Sequence, residues 1–409
     1  MKNQFTVTRR DFLAQSAGAV AAATLGPMTF AAGANDRINV VCIGTGGRAG
    51  GLMSEFNKVA KDCNAAITGI CDVYRPNRES AAKRVAQWFG AAPRMTSNYE
   101  EALQWPDVDA VIIATPDFAH SPVLAAAARA GKDAYCEKPM CATLDQARDA
   151  YKAVKEKKRI VQIGTQHRSE GKYQAAAEVV RSGKLGTLSR FIIAINVNQA
   201  RWMRDHKKIK QEDVDWDRYQ MHLPKRPFDP FRFLCWHLFR DYTNGLPGLW
   251  GSHYLDLIPF FTGATYPKSG VAHGGTYVWK DGREHADTFH TLIEYPQGFL
   301  VSWAMALGNS AGATFTVHGT NGTLDFNKGE VSGDGGAGPD KIKETEKLPR
   351  LPDQSHMKNW LECIRSRKAP AADIEAGYRH SVACCMAAEA FFTGRRMVYN
   401  EKTMELMPG

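Results

Sequence analysis

Paired cysteines are missing from this sequence. Its nine cysteines are an odd number and none stands in a C-x-x-C pair, so we expect neither a disulfide framework nor a metal site. Cys42, Cys71 and Cys136 fall in apolar stretches that are typical of strands, where a free cysteine acts as a small buried hydrophobic side chain. This usage fits a chain that folds in a reducing compartment.

Charge of one sign is not concentrated anywhere in the chain. The formal net charge is +9 over 409 residues, and the lysines and arginines are mixed with acidic residues. Such a surface argues against a nucleic-acid partner and leaves a small molecule as the expected ligand. Apolar runs long enough to span a bilayer are also missing, so we expect no stable membrane anchor.

Residues 1–34 have the pattern of a twin-arginine signal peptide. Thr8-Arg9-Arg10-Asp11-Phe12-Leu13 is followed by a short apolar stretch and by Ala32-Gly33-Ala34, a small-x-small cleavage site before Asn35. The pattern predicts that the twin-arginine export machinery carries the folded protein to the periplasm or to the outside of the cell.

Strand and helix patterns alternate over residues 35–160. Short Val-, Ile-, Ala- and Cys-rich strands are predicted at 38–43, 66–71, 110–114, 133–136 and 160–163, with helices at 51–60, 78–88, 122–130 and 144–155. Buried parallel strands separated by helices indicate an α/β domain with a doubly wound parallel sheet.

Residues 161–409 have a different texture and predict a second, α+β domain. A helix at 173–182 precedes a strand at 188–198, and further strands at 276–279, 288–295, 300–307, 313–318 and 323–326 predict an open, mainly antiparallel sheet. Ser252 is expected to cap a helix at 253–261, and Thr320-Asn321-Gly322 to form a hairpin turn. The irregular stretch 199–247 is long enough to suggest a functional role, and 328–349 is expected to be mobile. Two final helices, at 355–365 and 374–392, are able to pack back on the first domain.

A glycine-rich turn follows the first predicted strand. Gly44-x-Gly46-x-x-Ala49 fits G-x-G-x-x-G/A, in which the first glycine permits the tight turn and the second lets the backbone approach a pyrophosphate. The next helix offers unpaired N–H groups to the phosphates. We therefore predict an NAD(P)-binding Rossmann domain whose loop residues Gly44, Thr45, Gly46, Gly47 and Arg48 contact the cofactor.

Asp72 ends the second predicted strand. An acid at this point bonds the adenosine ribose and repels a 2′-phosphate, which favours NAD. Arg75 and Arg78 follow closely and leave NADP as the alternative.

The chain resembles the glucose-fructose oxidoreductase / inositol dehydrogenase (Gfo/Idh/MocA) family, in its exported twin-arginine subgroup. The resemblance rests on Ala114-Thr115-Pro116-Asp117-x-x-His120, Cys136-Glu137-Lys138-Pro139, Gly164-Thr165-Gln166-His167-Arg168 and Gly319-Thr320-x-Gly322-Thr323. It implies that Lys138 contacts both nicotinamide and substrate before a proline bond that is often cis. It also implies cofactor contacts from Thr115, Pro116, His120 and Glu137, and a homodimer or homotetramer paired through the open sheet.

Lys138 and His253 are the predicted catalytic residues. A partly desolvated lysine at the carboxyl edge of the sheet should have a lowered pKa and can steady an oxyanion or relay a proton. Family members often have an aspartate four residues before the histidine, where this chain has Leu249. Asp256 lies near the same helical face as His253. A replacement for the aspartate can also come from Asp241, His237 or Tyr242, although each of these residues suits packing equally well.

Side chains for a polyhydroxylated ring are predicted around the same cleft. Gln166, His167 and Arg168 follow the last parallel strand, and Arg201, Trp202, Trp236 and Arg240 offer flat apolar and donor surfaces. Ordinary aromatic packing is the alternative for the tryptophans. The predicted substrate contacts are Gln166, Arg168, Trp236, Arg240 and His253.

These residues predict an exported NAD(P)-dependent oxidoreductase that acts on a sugar or sugar derivative. Because no nicotinamide pool exists outside the membrane, the cofactor should be held tightly and returned to its starting oxidation state in every cycle. One alternative is a redox-neutral NAD-dependent glycoside hydrolase or isomerase that works by transient oxidation and elimination. The family's glycosidases also lack the aspartate, but they often lack the E-K-P lysine. Another alternative is a protein that binds NAD and sugar without turnover.

Overall fold

A computed structural model describes residues 36–409, so the predicted signal peptide lies outside the described residues. The first part of the described chain forms a parallel sheet of six strands in the order β3-β2-β1-β4-β5-β6. The strands are β1 (Ile38–Ile43), β2 (Ala65–Cys71), β3 (Arg94–Thr96), β4 (Ala110–Ile113), β5 (Asp133–Cys136) and β6 (Val161–Ile163). All but β3 are buried over nearly their whole length, because helices cover both faces of the sheet. The predicted doubly wound sheet is confirmed.

The helices of this sheet are α1 (Gly47–Ala60), α2 (Arg75–Phe89), α3 (Tyr99–Leu103), α4 (Asp117–Arg129) and α5 (Leu144–Lys157). Several boundaries differ from the sequence prediction: α1 begins at Gly47 rather than at residue 51, and α2 begins at Arg75 rather than at residue 78. Helix α4 begins at Asp117 rather than at residue 122, with Pro122 inside it. Strand β6 belongs to the parallel sheet although it lies beyond residue 160, where we expected the domain to end. The carboxyl ends of β1 and β4, where the strand order reverses, face one crevice, the usual ligand position in such sheets.

A second sheet has ten strands in the order β14-β13-β12-β11-β7-β10-β9-β8-β15-β16. Its strands are β7 (Leu188–Asn198), β8 (Ser269–Gly275), β9 (Thr288–Tyr295), β10 (Phe299–Ala306), β11 (Gly308–Gly319), β12 (Gly322–Asp325), β13 (Glu330–Ser332), β14 (Glu346–Lys347), β15 (Met397–Asn400) and β16 (Glu405–Pro408). The pairs are antiparallel except for β7 and β10, which run parallel. Burial alternates along β7, β9 and β10, so one face packs on the core and the other is open.

Several predicted elements of this part were wrong in place or kind. Residues 276–279 form a loop, because the Asp287 carboxylate accepts the backbone N–H groups of Tyr277, Val278 and Trp279. Residues 328–349, expected to be mobile, contain β13 and β14. Ser252 does not cap a helix: its hydroxyl donates to the Gly248 carbonyl within a helical run that starts earlier.

That helical run passes from a π-helical turn at Pro247–Gly251 into α9 (Ser252–Leu255) and α10 (Leu257–Thr262). The other helices of this part are α6 (Gly171–Arg181), α7 (Trp216–Gln220), α8 (Pro230–Leu234), α11 (His356–Ser366) and α12 (Ile374–Thr393).

The two tail helices connect the sheets. The fully buried Trp360 and Leu361 of α11 belong to the same hydrophobic cluster as Val40 and Phe56 of the parallel sheet and its helix. Helix α12 contacts β6 of the first sheet and β8 and β9 of the second. Asp373 caps its first turn and Gly394, with φ +65°, ends it. Within residues 36–409, no helix is both long and apolar enough to cross a membrane.

Candidate active site

Two adjoining clefts open at the carboxyl edge of the parallel sheet. The larger has a volume of about 1070 Å³ and contains the glycine-rich turn. The smaller has a volume of about 550 Å³ and contains Lys138 and His253. The side chains of Arg48, Thr115, Trp236 and His237 line both clefts, so a ligand in one can reach the other.

The glycine-rich turn forms a cradle that suits a dinucleotide. Gly44 has φ +81°, and a Cβ there would lie 2.7 Å from the Ala114 carbonyl oxygen, so only glycine fits. Gly46 precedes α1 without a side-chain cap, and space above Gly47 is open. The uncapped N–H groups of this helix and the buried, unpartnered Thr115 hydroxyl leave donors for a phosphate and a sugar. The residues present therefore fit NAD.

Asp72 lines the larger cleft and also anchors the turn. Its Oδ2 accepts Thr45 N at 2.7 Å and Thr45 Oγ1 at 2.8 Å, and its Oδ1 accepts Tyr74 N at 2.8 Å. Burial raises the pKa of this carboxyl, and these bonds oppose the shift. The predicted contact with ribose stays a prediction, and the anchoring of Thr45 is a second role that the sequence did not indicate.

The two arginines that favoured NADP are already engaged. Arg75 pairs with Asp213, and Arg78 donates to the Asp72 carbonyl at 2.6 Å. Both guanidinium groups have a partner and neither arginine lines the larger cleft, which agrees with NAD as the nucleotide.

Glu137 joins the two clefts. Its Oε1 accepts Arg48 Nε at 2.7 Å and Gln166 Nε2 at 3.0 Å, and its Oε2 accepts Lys138 N at 3.1 Å. A Cβ on Gly164 would lie 2.8 Å from this carboxyl group, so β6 can approach so closely only with glycine there. The network fixes Arg48 over the cofactor cradle and Gln166 at the smaller cleft.

The Lys138–Pro139 peptide bond is cis. His120 Nδ1 donates to the Pro139 carbonyl at 2.7 Å, which leaves His120 Nε2 buried without a partner among the described residues. Lys138 Nζ donates to the Leu249 carbonyl at 2.8 Å. Burial lowers the pKa of Lys138, while Glu137 and Asp117 oppose the shift. The backbone of Leu249 thus orients the lysine, at the position where the family resemblance implies an aspartate.

His253 lines the smaller cleft beside Lys138. Its Nδ1 is buried and has no hydrogen-bond partner within residues 36–409. Burial, and then the charge of Lys138, holds the pKa of His253 well below its usual value, so the ring is neutral near pH 7. A neutral imidazole with a free nitrogen can accept a proton from a bound hydroxyl. The ring of His167 lies 5.1 Å away, and its Nδ1 bonds Glu170 at 2.6 Å.

Asp241, His237 and Tyr242 were the predicted replacements for the aspartate that is absent at Leu249. None of them places a carboxylate in the smaller cleft. Asp241 pairs with Arg226 at 2.5 Å, Tyr242 is buried among aromatic rings, and neither lines the cleft. His237 does line it, and its Nδ1 lacks a partner among the described residues.

Asp117 is the cleft carboxylate that the sequence analysis overlooked. It lies in the motif Ala114-Thr115-Pro116-Asp117, at the first turn of α4. This position was the only sequence feature that pointed to a role for Asp117 in the cleft.

Two predicted substrate contacts lie elsewhere. Arg168 forms a bidentate ion pair with the fully buried Asp256, with Nε–Oδ2 2.7 Å and Nη2–Oδ1 2.9 Å, and does not line the smaller cleft. Arg240 is exposed and lies 3.6 Å above the Phe392 ring. The structure does not bring Arg168 and Arg240 to the smaller cleft, because a cation after a strand or beside aromatics has the same sequence pattern whichever way its side chain turns.

An aromatic wall lines the smaller cleft. Trp236 stacks on His237 with ring centroids 3.6 Å apart, Trp202 stacks on the same imidazole at 5.8 Å, and Arg201 lies 4.3 Å above Trp250. Trp202 has φ +69°, a conformation that a bulky residue adopts only where its surroundings fix it. Flat aromatic faces with nearby donors suit the apolar face and hydroxyls of a sugar ring.

Comparison with protein-family models gives two matches. The model described as "Oxidoreductase family, NAD-binding Rossmann fold" matches residues 38–165. The model described as "Oxidoreductase family, C-terminal alpha/beta domain" matches residues 218–399.

Curated relatives match parts of the chain. Levoglucosan dehydrogenase of Pseudarthrobacter phenanthrenivorans is 26% identical over 61% of this chain and 63% of its own length. Inositol 2-dehydrogenase of Rhizobium meliloti is 27% identical over 33% and 39%. A glycosyl hydrolase family 109 protein of Stenotrophomonas maltophilia is 30% identical over 55% and 47%. The matched segments span less than two thirds of each of these relatives.

Solved structures match over most of the chain. The WlbA dehydrogenase of Bordetella pertussis, in complex with NADH and UDP-GlcNAcA, has a TM-score of 0.67 and 18% identity, covering 89% of this chain and 98% of that one. A levoglucosan dehydrogenase in complex with NADH has a TM-score of 0.65 and 19% identity, covering 88% and 98%. At this level of identity the likeness shows a shared fold.

Proposed function

Because this chain belongs to the Gfo/Idh/MocA oxidoreductase family and carries its NAD-binding Rossmann domain, we propose that it is an exported dehydrogenase of a cyclic sugar or polyol. The observation that carries the proposal is the pair of adjoining clefts, one a dinucleotide cradle and the other holding Lys138 and His253 beside an aromatic wall. Two relatives are named as dehydrogenases of levoglucosan and of inositol. We extend this class of substrate to the present chain.

Each residue of the smaller cleft has a role in the proposal. Bound NAD would supply the hydride acceptor for a ring carbon. The neutral His253, which lines this cleft, takes the hydroxyl proton on its imidazole ring. Lys138, oriented by the Leu249 carbonyl, stabilises the developing oxyanion and can pass on a proton. The aromatic wall and Gln166 hold the ring.

Export and a permanently bound cofactor complete the proposal. The twin-arginine pattern of residues 1–34 supports transport to the periplasm, and all nine cysteines are buried and free, as suits a protein folded before export. With no nucleotide pool to draw on, the reduced cofactor must be reoxidised in place by a second carbonyl substrate or by the returning product.

The test uses the holo-protein and a panel of sugars and polyols. We expect at least one of them to raise the absorbance of reduced nicotinamide in the wild type. Lys138→Ala should abolish this change while keeping the bound nucleotide, and Lys152→Ala, an exposed lysine on α5, should behave as wild type. An active Lys138→Ala variant would remove this residue from the mechanism.

A redox-neutral glycoside hydrolase is the second candidate. It is favoured by the family 109 glycosyl hydrolase among the relatives and by Leu249 at the position of the usual aspartate. Oxidation of a glycoside carbon would acidify the neighbouring C–H, elimination would expel the aglycone, and the hydride would then return. Release of an aglycone from a chromogenic glycoside, without net change in nicotinamide absorbance, would decide for this candidate.

We also propose that the open face of the second sheet pairs subunits. Val271, Leu292 and Leu300 on β8, β9 and β10 are apolar and between 38% and 44% exposed. An exposed apolar patch of this kind is typical of an interface. Light scattering should give a dimer or tetramer, and Leu292→Lys should shift it toward the monomer.

A further inference from the structure

Asp117 occupies an unusual position for a carboxylate. It begins α4, is only 3% exposed, and lines the smaller cleft. Thr243 Oγ1 donates to its Oδ2 at 2.7 Å, and no other hydrogen bond to this carboxylate is formed within residues 36–409. A buried carboxylate usually collects several donors or a direct cation. Asp117 therefore keeps acceptor capacity that the folded chain does not use.

The other acids of the cleft are committed. Both oxygens of Glu137 are occupied, by Arg48, Gln166 and its own neighbouring N–H. Glu55 is 42% exposed and lies 3.6 Å from Arg48. Asp117 is thus the remaining acidic group in the cleft that can change its protonation without breaking an ion pair.

The charged groups around Asp117 couple it to Lys138. Lys138 and Glu137 act on it from the loop after β5, and the buried thiols of Cys136 and Cys384 lie within electrostatic range. Burial raises the pKa of Asp117 to about 7, against the opposing effects of Thr243 and Lys138. Burial also lowers the pKa of Lys138. Desolvation therefore brings the proton affinities of the carboxylate and the amine toward each other.

We propose that Asp117 is the proton store of the substrate cleft, acting through Lys138 in place of the carboxylate that Leu249 lacks. The inference rests on the proposed function and deepens it. Lys138 gives one of its protons to the Asp117 carboxylate and, as the substrate O–H bond breaks, takes up the hydroxyl proton directly or through His253. Bound NAD would accept the hydride, so the site ends with a neutral Asp117 and an unchanged lysine charge.

The store has a purpose in a redox-neutral cycle. When the hydride returns, the same proton must return to oxygen, and a proton kept on a buried carboxyl group is available without exchange with bulk water. Lys138 Nζ uses one donor on the Leu249 carbonyl, so its other N–H groups are left for the cleft. The two groups are not directly hydrogen-bonded, and a water or a sugar hydroxyl must bridge them.

The test compares Asp117→Asn with Asp241→Asn, a carboxylate outside the cleft, and with Thr243→Val. Difference infrared spectroscopy of the holo-protein should show a carboxyl group that titrates near pH 7 in the wild type and in Asp241→Asn, and that is missing in Asp117→Asn. Thr243→Val should move this titration to higher pH, because the variant loses the hydrogen bond that stabilises the carboxylate. This second variant keeps the test decisive if Asp117→Asn fails to fold.

Kinetics provide the functional arm. Asp117→Asn should retain NAD and lose at least tenfold in the single-turnover rate at pH 7. The single-turnover rate of the wild type should depend on pH near 7, and this dependence should be absent in Asp117→Asn. A wild-type titration near pH 7 that survives Asp117→Asn, or an unchanged pH profile in an active variant, would overturn the role of Asp117. A wild-type holo-protein that no sugar reduces and that cleaves no glycoside would instead refute the proposed function.

Discussion

The ion pair between Arg168 and Asp256 gives the sharpest prediction about the structure that supports the clefts. Asp256 is fully buried, its carboxylate is held by both Nε and Nη2 of Arg168, and the arginine side chain is 11% exposed. Burial raises the pKa of Asp256, but the charge and hydrogen bonds of Arg168 act together with His380 against it and lower the pKa from 3.8 to about 2. This difference corresponds to roughly 2 kcal/mol in favour of the charged carboxylate.

Arg168→Met should therefore destabilise the protein by about 3–5 kcal/mol, because it leaves a buried carboxylate without its cation. The pH dependence should also invert. In the wild type, the contribution of Asp256 is present above its unfolded pKa of 3.8 and is lost as the pH falls toward 2. In the variant, burial raises the pKa of Asp256 and only His380 opposes the shift, so stability should fall as the pH rises above 4.

Urea unfolding followed by circular dichroism, at pH 5 and pH 8, measures both effects. Arg240→Met is the matched control, because Arg240 is exposed and was predicted from sequence for the same task. It should change the free energy of unfolding by less than about 0.5 kcal/mol. If Arg168→Met unfolds like the wild type but raises KM for the sugar, then Arg168 contacts substrate and the structural interpretation is refuted.

Three further predictions concern the two clefts. Gly44→Ala should abolish NAD retention, because its Cβ would lie 2.7 Å from a backbone oxygen. Gly183→Ala is the control, since Gly183 also has a positive φ but lies in open space, and this variant should retain NAD. The amount of nucleotide released on denaturation measures both. Asp72→Asn should weaken NAD retention at least tenfold, since the amide loses the charged acceptor for Thr45, and calorimetry on stripped protein would detect this. Trp202→Ala should raise KM about fivefold with little change in kcat, from the loss of about 1 kcal/mol of ring stacking; an unchanged KM would place the sugar elsewhere.

Much of the fold follows from local sequence signals. The parallel strands are short apolar runs separated by helical patterns, and Gly44 stands where the turn requires a positive φ. The tail helices were predicted to within a residue or two, and in the structure Ser355 and Asp373 accept N–H groups at the starts of α11 and α12. Strand β3 and helix α3 were missed because they are only three and five residues long.

The site was harder to predict, because side-chain direction depends on tertiary contacts. Arg168 has the pattern of a cleft residue, and only the placement of Asp256 on the helical run shows that it turns inward. Asp117 was visible within a recognised motif, but its burial depends on the loop that carries Thr243, more than a hundred residues away in sequence. Contacts of such long range leave no periodic signal in the sequence.

The most direct test of the account is the nucleotide content of the protein collected from the periplasm, to which we propose that it is exported. We predict about one NAD per chain, found by mass spectrometry after denaturation and unchanged in oxidation state after many turnovers. Protein that arrives empty, and that takes up neither NAD nor NADP in a calorimetric titration, would contradict the claim that this cleft holds a resident redox cofactor.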